Sequence, residues 1–201
     1  MTDQYEIIPT PEEKMSVLPP VIWLQRLFYI HIASLILSLI TLIWLDNPVT
    51  PWFNYALSAG TALCLLRLSP AGKRYRTAAI LTALILGLTL LSKVALSTLM
   101  TLAASILAII ASYQEFYGHS ETLFQRDPKL AGRWRRLFLW QLLIGILAGF
   151  ASVAATVIMV LANMEEGQII QLIVTAIGFS GLIPGVLYLI YLNNMIKLFK
   201  E

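Results

Sequence analysis

From Thr77 to Phe116 the chain runs about 40 residues without a proline, and Lys93 is the only charge in the interior of that run. As one helix it would measure roughly 60 Å, twice the hydrocarbon thickness of a bilayer. The run must therefore fold back on itself. The turn belongs at Ser92-Lys93, because a charge at mid-bilayer costs at least about 2.5 kcal/mol. Composition agrees: 12% of residues are charged and the mean hydropathy is +0.77, against roughly 25% charged in a soluble domain. The chain reads as an all-α, polytopic integral membrane protein. Scarce charge excludes a disordered chain or a nucleic-acid partner, and a single cysteine, Cys64, excludes a disulfide scaffold.

A spanning helix needs about 20 apolar residues. Six segments meet that need, at about 21–45, 52–68, 77–92, 94–116, 137–162 and 168–192. Asp46-Asn-Pro-Val-Thr-Pro51 breaks the first from the second, Ser69-Pro-Ala-Gly-Lys73 the second from the third, and Met164-Glu-Glu-Gly167 the fifth from the sixth. Residues 1–20 carry four prolines and four acidic side chains and are expected to form a flexible cytoplasmic tail. Their acidic start, and an apolar run that continues to Leu45, argue against a cleaved signal. Residues 21–201 are then one six-helix transmembrane domain, in which only the loop 118–136 is long enough to hold local structure.

Charges that played no part in finding the spans orient the bundle. Thirteen of the fourteen basic residues fall on one side and Lys93 alone on the other. By the positive-inside rule both termini and the loops 69–76 and 118–136 are cytoplasmic. The tryptophans follow the same levels, with Trp23, Trp134 and Trp140 near inner edges and Trp44 and Trp52 near outer ones.

In lipid, helices associate through small residues that let backbones approach. The sequence predicts seams along Ala79, Ala83 and Gly87, along Ala104, Ala108 and Ser112, and at the pairs Gly145/Gly149 and Gly181/Gly185. The run Gly178-Phe-Ser-Gly-Leu-Ile-Pro-Gly185 predicts a helix kink at Gly181, Pro184 and Gly185, since proline removes a backbone hydrogen bond.

Chemistry has few places to reside. There is no HExxH, GxSxG, phosphate loop or CxxC, so the reading leans away from an enzyme and assigns no cofactor and no metal. Glu115 and His119 stand four apart and share a face if the helix continues through Gly118, with Glu121 two residues on. Such a set suits a proton-transfer pair or a ligand site, a divalent metal being the lesser alternative and a wetted helix end the plain one. His31 lies some 7 Å into the hydrocarbon from Arg26, and Gln141 stands at matching depth, five residues beyond Arg136. An ionisable group at that depth is a functional hypothesis by default. His31, Glu115, His119, Glu121 and Gln141 together make the candidate ligand or proton site.

The cluster Arg126, Lys129, Arg133, Arg135 and Arg136 is expected to meet anionic headgroups of the inner leaflet, each charge contributing on the order of 1 kcal/mol. Three functions stay open: a transport-type or membrane-embedded binding subunit, a scaffold or assembly protein joined to other membrane subunits or to its own copies, and an intramembrane enzyme in last place. Short loops without appended domains suggest a bacterial plasma membrane.

Overall fold

The computed structural model describes residues 21–43, 49–92, 97–162 and 166–200. Among them are six α-helices: α1 (Val21–Ile43), α2 (Thr50–Leu68), α3 (Lys73–Leu91), α4 (Ser97–Leu123), α5 (Pro128–Ala162) and α6 (Glu166–Lys200), with a short 3-10 turn at Ser69–Ala71. Each helix packs on its neighbours in the chain, and α6 packs on α1, so the six close into a ring. Ser92, the first residue of the expected turn, caps α3 with its amide on the Leu88 carbonyl at 2.9 Å; Lys93 itself, like residues 1–20 and Trp44, lies outside the described residues.

Five of the six helices are long and apolar enough to cross a membrane, as in a multi-pass membrane protein. The exception is α2, whose 19 residues include Thr50, Asn54, Ser58, Thr61 and Arg67 and reach about 28 Å, one bilayer with nothing to spare. Large apolar side chains such as Phe150, 71% exposed, stand on the outside of the ring. That arrangement suits lipid, which is as apolar as the helix interior.

The chief departure from expectation is the loop 118–136. It is helix almost throughout: α4 runs on to Leu123, and α5 begins at Pro128. The reversal needs four residues. The Arg126 and Asp127 amides bond back to the Leu123 carbonyl, Asp127 Oδ1 accepts the Leu130 amide at 2.9 Å, and Pro128 opens the new helix. A carboxylate at the N-cap and a proline in the first turn are a strong start signal. The hydropathy that falls after Phe116 marks buried polar side chains rather than a helix end: His119 and Ser120 are fully buried.

Burial concentrates at the basic end. Leu24, Leu27, Leu65, Leu68, Tyr75, Phe116, Leu123, Trp134, Leu192 and Met195 form the core there. Among the described residues, burial thins toward the opposite end. Trp134 is part of this core, fully enclosed with its ring edge-on to Phe116 at 5.6 Å and Tyr188 at 5.1 Å, not at the membrane edge where amphipathy alone would place it.

The small-residue seams are mostly elsewhere than expected. A side chain at Gly87, Gly145, Gly149 or Gly181 would meet nothing within 4 Å, and Ala83 is exposed. Of the expected positions, Gly185 does approach closely, against Leu35, and Ala79 and Ala104 are buried; the other close approaches are at Gly60 against Ile30 and at Gly118, where an added Cβ would stand 3.2 Å from the Tyr75 ring. Spacing identifies small residues but not which way they face, and the ring order of helices turns α5 outward at Gly149.

Candidate functional site

Three helices bring polar side chains to one level inside the ring. From α4, Glu115 and His119 point inward one turn apart; α1 contributes His31 and α6 contributes Tyr188. Tyr188 Oη donates to Glu115 Oε1 at 2.5 Å. His31 Nε2 lies 3.6 Å and His119 Nε2 3.8 Å from that same oxygen, ion-pair distances too long for a hydrogen bond. The His31 and Tyr188 rings lie 4.2 Å apart.

On the far side of His119, Tyr75 Oη meets Nδ1 at 2.9 Å, while Nε2 faces Tyr188 Oη at 3.4 Å. With a neutral imidazole one proton arrangement satisfies every contact. Tyr188 spends its single proton on Glu115, so its oxygen accepts from His119 Nε2–H; Nδ1 is then the acceptor, and Tyr75 donates to it. The donors thus run in one direction, Tyr75 to His119 to Tyr188 to Glu115, each polarising the next. Thr122 Oγ1 stands 3.3 Å from Tyr75 Oη and 2.8 Å from the Gly118 carbonyl, and its one proton serves either acceptor. Tyr75 and His119 are fully buried, where unpaired polar atoms would be costly, so the chain is as much a structural necessity as a chemical opportunity.

Glu115 stands at the floor of a pocket of about 350 Å³ between α1, α4, α5 and α6. Ser112 and Phe116 flank it on α4, Ile144 and Ala148 line the α5 wall, and Gly181, Pro184, Gly185 and Tyr188 line the α6 wall. The Gly/Pro run expected to kink α6 stays helical on both sides of Pro184. Its contribution is room: Gly181, where an added Cβ would meet nothing within 4 Å, leaves this wall of the pocket open, and Gly185 lets α6 approach Leu35 of α1. Gln141, Gly145 and Gly181 are exposed at its mouth.

The structure therefore gathers His31, Glu115 and His119 and sets Gln141 at the rim. Glu121 does not join them. It is exposed and bonds Arg74 Nε at 2.6 Å, while Arg74 Nη1 also reaches Gln114 at 3.1 Å. Helical geometry explains this, since residues 115 and 121 differ by 600°, which leaves them about 120° apart around the axis and on different faces. Among the described residues, no three His, Cys, Asp or Glu side chains converge to hold a metal ion.

Sequence reasoning missed Tyr75 and Tyr188 as site residues, since neither belongs to a motif. What marks them is burial, because a buried phenol needs a partner. The basic cluster keeps all five side chains on the surface, but two have partners within the chain. Arg135 Nε donates to Ser120 Oγ at 2.9 Å and its guanidinium lies over Tyr117, and Arg126 reaches the Leu198 carbonyl over the Phe199 ring.

No protein-family model matches the chain, and neither does any curated protein or solved structure. Geometry carries the functional reading alone.

Proposed function

We propose that this multi-pass membrane protein is a transport-type or membrane-embedded binding subunit whose ligand occupies the pocket above Glu115. One observation supports the reading above the others: side chains from α1, α4 and α6 converge on a carboxylate at the floor of a pocket with largely apolar walls. A few convergent polar groups inside an apolar concavity are the usual form of a small-molecule site. A packing role alone asks for Tyr188 on Glu115 but not for the empty volume beside it.

The basic end faces the cytoplasm in this reading, and its exposed Lys129, Arg133 and Arg136 meet anionic headgroups of a bacterial plasma membrane. The exposed mouth at Gln141 and Gly145 then lies within the inner leaflet, so the ligand enters from the bilayer or from the cytoplasmic interface.

Native mass spectrometry of the detergent-solubilised protein tests the reading. The wild-type chain is expected to carry a small-molecule adduct that the pocket-filling substitution Ala148→Trp removes. Identical spectra from both forms, each without an adduct, would count against a ligand and for the second reading. That second reading, an assembly subunit, draws on a cleft of about 470 Å³ between α4 and α5, lined by Ser105, Ala108, Ser112 and Gly145. Small residues of that kind let another transmembrane helix approach closely.

A further inference from the structure

We propose, on the footing of the pocket reading above, that the ligand is a lipophilic ammonium: a protonated amine on an apolar body, with Glu115 as its counter-ion. Three features of the pocket select this class.

The first is charge. Among the described residues that line the pocket, Glu115 is the only carboxylate and there is no Lys or Arg. The donor chain that ends on Glu115 is made of neutral groups. It supplies hydrogen bonds to a carboxylate but no opposite charge. A buried charge is retained when it is paired; the two imidazoles at 3.6 and 3.8 Å supply a counter-charge only when protonated, whereas a cationic ligand supplies it outright.

The second is the acceptor geometry. His31 Nε2 is buried and has no hydrogen-bond partner, and it lies 3.6 Å from Glu115 Oε1. In the tautomer that protonates Nδ1, this nitrogen offers a lone pair beside the carboxylate oxygen. An ammonium has three N–H donors, so one nitrogen can donate to both. A carboxylic acid or phosphate would bring further acceptors to a place that already holds two.

The third is the walls. The Phe116 and Tyr188 rings, with centroids 5.5 Å apart, both border the pocket, and aromatic faces attract cations when water is excluded. Ile144, Ala148 and Pro184 complete a surface for an apolar body. A small hydrated inorganic cation would find too few oxygen ligands here to replace its water.

A matched pair of fluorescent probes decides the matter: pyrenylmethylammonium, which is cationic at neutral pH, and pyrenemethanol, which has the same ring system without the charge. Binding is read as saturable energy transfer from the protein's tryptophans in detergent. A charge-assisted hydrogen bond is worth about 1.5–3 kcal/mol, so the cationic probe is expected to bind wild type at least about tenfold more tightly than the alcohol. Glu115→Gln should bring the two affinities together, and Glu115→Asp should keep the preference. Gly145→Phe, which intrudes on the pocket without touching the donor chain, should abolish saturable transfer from both.

Equal affinities in wild type would overturn the ammonium assignment and leave the pocket reading standing. No saturable transfer from either probe, or transfer indifferent to Gly145→Phe, would remove the pocket reading itself. The wild-type comparison needs no variant, so a Glu115→Gln chain that fails to fold does not block the test.

Discussion

At the residue scale the molecule turns on how a few polar side chains are satisfied away from water. His119 is enclosed by Tyr75, Tyr188 and Trp134, the last with its ring centroid 4.5 Å away. Replacing Tyr75 by Phe leaves His119 Nδ1 without its donor, and a buried unpaired acceptor costs about 1–3 kcal/mol. Tyr188→Phe removes the donor to Glu115 and should cost a similar amount. Because both tyrosines act through one imidazole, the double variant Tyr75→Phe/Tyr188→Phe is expected to lose less than the sum of the two. Chemical denaturation of the three variants in detergent measures this directly, and strict additivity would show that the contacts do not act as a chain. The spacing of Glu115 and His119 was legible as a shared helix face. Their partners on α3 and α6 were not, since 44 residues separate Tyr75 from His119 and 73 separate Glu115 from Tyr188, and nothing local records such pairings.

At the scale of the element, hydropathy and helix length came apart. The apolar content of the sequence locates helices near the right places, but it ends the fourth at about 116, whereas α4 continues two further turns to Leu123. A helix ends where its backbone finds a cap, and Asp127 with Pro128 supplies the next start. Gly118 shows why those extra turns matter, for its missing side chain is the space that the Tyr75 ring occupies. Gly118→Val is therefore expected to lower the melting temperature in detergent sharply, by pushing Tyr75 off His119. Gly149→Ala, with nothing within 4 Å, should instead raise stability by up to about 1 kcal/mol through helix propensity. If both substitutions shift the melting point alike, close packing at Gly118 is not what holds α3 on α4.

At the scale of the whole molecule, the thirteen-to-one split of basic residues argues for both termini on the cytoplasmic side. In a Cys64→Ala background, introduced thiols at Asn47 and Gly167 are expected to react with an impermeant reagent on intact cells. A thiol at Lys129, exposed at the basic end, should react only after permeabilisation, and the reverse pattern would invert the topology. Charge placement and apolar length are properties that a membrane reads from the chain directly, segment by segment, because each charge or apolar residue has its own transfer free energy whatever its neighbours do. For that reason the all-helical class, the apolar, membrane-suited character and the approximate helix positions were determined by the sequence by itself. The faces of the helices were not. In lipid the two sides of a span are nearly equal in apolarity, so no amphipathic stripe tells the interior from the exterior. The closing of α6 on α1, the inward turn of His31 and Glu115, the outward turn of Glu121 and Gly149, and the pocket between four helices depend on side chains meeting across the ring, and only the tertiary structure decided them.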